Sequence, residues 1–148
     1  MAYQFKLEAL RRYREFEEER LQKELAEAQR VAEQTRTVLN GHIAMRQKIE
    51  DDFRKTRQGG EETAGRAGMY RSYLQRLAGE IVLHHGKVLS AEKVCTDARD
   101  ALLEAMKKRK ALDRLKEKGE QAFLAELNSE EQKFISEMAI NRYTLKQE

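Results

Sequence analysis

The sequence predicts an all-α protein, a long antiparallel two-helix coiled-coil hairpin with a short C-terminal helical extension. Three observations predict it. The 148 residues include no Pro, and 37% of them are charged. Pro breaks helices and is common in disordered chains, so its absence points to long uninterrupted helix. Apolar residues recur at alternating steps of four and three. Four of the eight glycines fall between Gln58 and Gly68, which marks one turn.

The clearest series runs Tyr70, Leu74, Leu77, Ile81, His84, Val88, Ala91, Cys95, Ala98, Leu102, Ala105, Arg109, Leu112. Its 3.5-residue spacing is that of a left-handed coiled coil. It continues more weakly through Lys116 and Gly119 to Phe123. The first half carries Leu21, Leu25, Ala28, Ala32, Thr35, Leu39, His42, Arg46, Ile49 and Phe53, and Val31, Val38 and Met45 widen the stripe. Ahead of Leu21 its apolar residues are Leu7, Leu10, Tyr13 and Phe16. These patterns place helix one over about residues 4–56, the turn over about 57–68 and helix two over about 69–127. Leu127, Asn128 and Ser129 read as a minor break. Ser129 with Gln132 forms a capping box that opens a terminal helix over about 129–146. Phe134, Ile135, Met138 and Leu145 would be its apolar face. Residues 1–148 read as a single domain.

Two such helices joined by a glycine-rich turn fold back on each other. Each arm would be roughly 75 Å long at the helical rise per residue. A turn centred near residue 63 pairs residues whose numbers sum to about 126. Ile49 then meets Leu77, Leu39 meets Val88, Ala32 meets Cys95, and Ala28 meets Ala98. Leu25 meets Leu102, Leu21 meets Ala105, Glu18 faces Arg109 and His42 faces His84.

Composition narrows the function. No apolar run approaches the ~20 residues that span a bilayer, so no direct membrane insertion is expected. Met1 to Arg14 is charged and lacks the apolar stretch of a secretory signal. The single cysteine, Cys95, fits a reducing cytoplasm and reads as a small buried seam residue. A net charge of +3 from 29 basic and 26 acidic residues is a mixed-charge surface, so no nucleic acid is expected. Gly59 to Gly68 lacks the Lys-Ser/Thr ending of a phosphate-binding loop, and no nucleophile sits in an elbow. A helix-only chain without a pocket gives a reaction no shelter from water, so no enzyme activity and no cofactor are expected. His42 faces His84, and His85 adjoins it. A zinc site needs about four converging ligands, and no cysteine or carboxylate pair is evident there, so the histidines read as a polar seam layer and no metal is expected. Contact with a partner through His84 or His85 is the other reading.

Two surfaces stand out. Tyr70, Tyr73, Leu74 and Leu77 follow the turn, and with Met45, Ile49 and Phe53 they form an apolar and aromatic patch. Two helices cannot bury all of it, and exposed aromatic surface favours binding. Lys107 to Lys118 is the densest basic run, and at the open end of the hairpin it approaches Arg11, Arg12 and Arg14. Such a run is either a solvated helix face or a surface that steers an acidic protein partner.

The chain resembles the flagellar export protein FliJ family. The resemblance rests on the hairpin pattern over the whole length and on three segments. These are Phe5-Lys6-Leu7-Glu8-Ala9-Leu10-Arg11-Arg12-Tyr13-Arg14, then Tyr70-Arg71-Ser72-Tyr73-Leu74-Gln75-Arg76-Leu77, and then Arg109-Lys110-Ala111-Leu112-Asp113-Arg114-Leu115-Lys116. A Trp expected near Tyr70 is missing, and Asp113 replaces a Glu. The resemblance implies a non-catalytic stalk and adaptor of the flagellar type III export apparatus. Its implied partners are the hexameric export ATPase, the cytoplasmic domain of the export gate, and export chaperones. It implies a monomer, cytoplasmic and peripherally associated with the inner-membrane export apparatus. Carried over by position, Met45, Ile49, Tyr70, Tyr73, Leu77 and His84 would meet the gate. Leu7, Leu10, Arg11, Arg109 and Arg114 would meet the ATPase. The alternatives are the equivalent stalk of a virulence type III secretion system and a dimeric coiled-coil scaffold without an ATPase partner.

Overall fold

The computed structural model of the protein describes residues 2–60 and 64–147. Two helices account for nearly all of it: α1, Glu8–Gln58, and α2, Ala64–Gln147. Glu61, Glu62 and Thr63, where the turn was expected to centre, lie outside the described residues. No helix among the described residues is long and apolar enough to cross a membrane.

The heptad series maps onto the packing. Every member of the two heptad series, from Tyr70 to Phe123 and from Leu21 to Phe53, is buried or half-buried. The widening residues Val31, Val38 and Met45 stay exposed, since a pair of helices covers only a narrow line on each. Contacts group the chain into two compact units.

The first unit comprises residues 20–103. Within it the helices run antiparallel. Phe53 packs on Tyr70 with ring centroids 4.9 Å apart, His42 stacks on His84 at 4.7 Å, and Arg36 meets Glu92 at 3.3 Å. Ala28, Ala32 and Cys95 form a buried cluster, with Ala91 and Ala98 packed against it. Small residues there let the two backbones approach closely. These contacts match the register that the spacing predicts.

The second unit comprises residues 1–19 and 104–148. It is antiparallel too, and its cross-helix contacts are mostly ionic: Glu18 with Arg109, Arg11 with Asp113, Glu8 with Lys116. Carrying the four–three steps back from Leu21 gives Glu18, Arg14, Arg11 and Leu7. The seam therefore turns charged where the Glu18–Arg109 pairing places the change, and the weak stripe of Leu7, Leu10, Tyr13 and Phe16 does not line it. Tyr13 and Phe16 instead point outward, 61% and 73% exposed.

Helix boundaries differ from expectation at three places. Helix α1 begins at Glu8, not near residue 4, because Tyr3 packs its ring on Phe123 at 5.7 Å and over Gly119. A Cβ at Gly119 would sit 1.9 Å from the Tyr3 hydroxyl oxygen, so glycine is what admits the ring. The α1 C-terminus is closed by Gly59 N–H donating to the Lys55 carbonyl at 2.9 Å, and Gly60 follows in the left-handed region at φ 72°. Helix α2 resumes at Ala64 and runs through Gly65 and Gly68. A helical glycine costs about 1 kcal/mol, and burial of Ala67 and the Tyr70–Phe53 contact offset that cost. Finally, α2 continues unbroken through Asn128 and Ser129 to Gln147, so the terminal segment is an extension of α2 rather than a separate capped helix. Without Pro or Gly at the junction, two residues of modest helix propensity do not stop a helix.

The register carries a direct check. Oxidation of an Ala32→Cys variant is expected to form a disulfide with Cys95, read as a faster band on a non-reducing gel. A cross-link formed from Ala28→Cys and not from Ala32→Cys would overturn the pairing.

Candidate functional site

Three arrangements in the structure bear on function: an ionic network in the second unit, an aromatic groove beside the turn, and a histidine layer in the first unit.

The ionic network joins seven side chains, six in a line and Glu15 as a branch. The Lys116 ammonium lies 3.3 Å from Glu8, and Glu8 accepts a 2.7 Å hydrogen bond from Arg11. Arg11 also pairs with Glu15 at 2.6 Å and lies 3.5 Å from Asp113. Asp113 accepts from Arg109 at 2.6 Å, and Arg109 donates to Glu18. Glu18 is the buried member, 8% exposed. The Arg11 hydrogen bond, opposed by partial desolvation and aided by Lys116, holds the Glu8 carboxyl at about 2, against an ordinary 4.5. The Glu18 hydrogen bond, opposed by desolvation and aided by Asp113, raises the Arg109 guanidinium above its ordinary value.

Of the five residues expected to meet an ATPase, two are thus committed within the chain. Arg11 and Arg109 hold the network together. Leu7 and Leu10 are 43% and 39% exposed. Arg114 is exposed and makes no ion pair among the described residues. The neighbouring Tyr13 and Phe16 are available aromatic surface that the sequence reading assigned to the seam. Stepping the heptad back through Glu18 would have placed them outside it.

The aromatic groove gathers most of the six residues expected to meet an export gate. Ile49, Met69, Tyr70, Tyr73 and Arg76 line one groove. Val38, His42, Met45, Tyr73, Arg76, Leu77 and Glu80 line a second, which shares Tyr73 and Arg76 with the first. Tyr70 is half-buried by its stacking on Phe53, and its hydroxyl lies 3.5 Å from that of Thr56. Leu77, at 6% exposure, belongs to the seam and offers little surface. Met45 at 40%, Tyr73 at 37% and Met69 at 74% are the accessible apolar groups. Arg76 was not singled out from the sequence, although it lies one turn after Tyr73 on the same face.

His84 reaches the groove's edge through its stack on His42. A single carboxylate lies beside this pair, Glu80 Oε2 at 3.4 Å from His84 Nε2, and no cysteine or second carboxylate joins it among the described residues. Glu80 is one turn before His84, a spacing that puts both on one face. Among so many surface acids it carried no distinguishing signal.

A family model described as Flagellar FliJ protein matches residues 3–148. The chain belongs to the FliJ family. Comparison with curated proteins and with solved structures returned no match. FliJ membership makes the protein a stalk-like component of flagellar type III export, and it decides for the flagellar over the virulence-type reading. The family is a non-catalytic component of the export apparatus. The paired helices of each unit fit a coiled coil.

The network carries two checks. Glu8 titrates lower folded than unfolded, so its stabilisation is full above about pH 4.5 and is lost as pH falls toward about 2. Glu8→Gln is expected to flatten the acid branch of a thermal-stability profile in that window and leave it unchanged near neutrality in shape. Arg109→Ala strands the buried Glu18 carboxylate and is expected to cost about 1–3 kcal/mol in urea unfolding. Arg114→Ala is expected to stay within about 0.5 kcal/mol.

Proposed function

We propose that this protein is the stalk and adaptor of the flagellar export apparatus, with no catalysis of its own. In this reading the surface of Leu7, Leu10 and Arg114 docks on the export ATPase hexamer. Arg11 and Arg109, neutralised within the ionic network, keep that surface in shape. The groove of Met45, Ile49, Tyr70 and Tyr73, with Leu77 behind it and His84 at its edge, receives the cytoplasmic domain of the export gate. Export chaperones are escorted on faces outside the seam, and the protein works in the cytoplasm at the inner-membrane apparatus as a monomer.

One observation carries the reading: the match to the FliJ family over essentially the whole chain. The exposure pattern supports the division of surfaces. Leu7, Leu10 and Arg114 are exposed in one unit, and Met45, Met69 and Tyr73 in the other. Exposed aromatic and flexible thioether groups suit an apolar protein partner, and guanidinium groups suit acidic channel walls.

ATP hydrolysis by the cognate export ATPase, measured with and without this protein while light scattering follows hexamer formation, tests it. Stimulated turnover with assembly is expected. A Leu7→Ala, Leu10→Ala, Arg114→Glu triple variant should weaken ATPase binding by about tenfold or more and spare the gate. Met45→Ala with Tyr73→Ala should do the reverse. A swap of the two outcomes would reverse the assignment of surfaces. No effect on the ATPase, with the protein itself dimeric in sedimentation, would favour the scaffold reading.

A further inference from the structure

The histidine layer of the first unit holds more ligand chemistry than a seam requires. His42 comes from α1 and His84 from α2, with rings 4.7 Å apart and 20° from parallel. Glu80 adds a carboxylate from the turn before His84. One nitrogen of each imidazole and one Glu80 oxygen all lie within 4.8 Å of one another, and all three residues are half-buried. Donors bound to a tetrahedral zinc ion at about 2.0–2.2 Å sit about 3.3 Å apart. The His84 Nε2 to Glu80 Oε2 separation of 3.4 Å already has that length. Bringing the His42 donor to the same distance requires one imidazole to turn out of the stack, because the in-plane lone pairs of two nearly parallel rings do not converge on one ion. His42 and Glu80 also line the open groove, so an ion has a way in.

We propose that His42, Glu80 and His84 form a binding site for a divalent transition-metal ion of the zinc class. Two imidazoles and one carboxylate select zinc, cobalt, nickel or copper over magnesium or calcium, which prefer all-oxygen sites. The ion's two positive charges are met by one carboxylate, and the fourth coordination position faces the groove, open to water or to a carboxylate or imidazole of a bound partner. Because its ligands come from both helices, the ion ties α1 to α2 at this layer. Arg76 is the cation on the groove wall, and it offers no ligand to a metal.

The inference is independent of the gate reading, and its test uses the isolated full chain. Titration with Co²⁺ is expected to produce visible d–d bands at one ion per chain, and Zn²⁺ should displace them. Long-range nitrogen spectra of the wild type with Zn²⁺ should shift His42 and His84 and leave His85 in place. At a hundredfold excess over Kd, Zn²⁺ should raise Tm by more than about 5 °C. Glu80→Gln, which keeps the side-chain shape, and His42→Ala should each weaken binding by about tenfold or more, whereas His85→Ala should not. Perturbation of His85 alone, binding insensitive to Glu80→Gln, or no binding by the folded wild type would each overturn the site. In that case the layer is a packed imidazole pair beside Glu80.

Discussion

A pair of helices can bury only one line of side chains on each partner. Nearly every feature of this protein follows from that constraint. Among the described residues no large side chain is fully buried, and those that come nearest are small or branched: Ala32, Ala105, Leu77, Val88. Alanine and cysteine form the buried cluster of the first unit, where small side chains suit close packing of two helices. A seam this narrow makes uncompensated polar layers costly: Glu18, Arg11 and His42 find partners on the opposite helix, whereas Arg14, Thr35 and Arg46 find theirs on their own.

Those layers are of two kinds. In one unit the seam positions of α1 become Arg11, Arg14 and Glu18, and a chain of ion pairs from Lys116 to Glu18 takes over from apolar burial. Exposed pairs contribute little individually, but Glu18 is buried and would be expensive to leave unpaired. Glu18 and Arg109 therefore specify register more than they add stability. In the other unit a stacked histidine pair does the same work with groups that can also bind a metal. Apolar heptads alone slip easily by seven residues, and a buried polar pair of matched chemistry resists that slip.

The same constraint leaves much apolar and aromatic surface uncovered. Tyr13, Phe16, Met69 and Tyr73 stay accessible, as do Phe134, Ile135, Met138 and Leu145 on the extension of α2. On the proposed reading this surface is what partners would meet, since the fold does not depend on it. Substitutions there can be read as changes in binding, whereas substitutions at Arg109 or Ala32 act first on the helix pairing.

How much was legible in the sequence follows from geometry. The four–three spacing determined which residues face inward from Tyr70 to Phe123 and from Leu21 to Phe53, because helical periodicity alone selects a face. It also determined the pairing of Ala32 with Cys95, Glu18 with Arg109 and His42 with His84, since a short turn ties the two numberings together. The tertiary structure decided the rest. Tyr13 and Phe16 looked apolar and so looked buried, but the phase of the seam, not their chemistry, put them outside. Tyr3 leaves the helix to lie over Gly119, a choice made by an aromatic contact more than a hundred residues away. Asn128 and Ser129 carry a capping signal that the continuing helix overrides. Glu80 joins the histidines only once His42 is brought across from the other helix. Periodicity tells a side chain which way to point, whereas its partners and their distances exist only after the second helix has come into place.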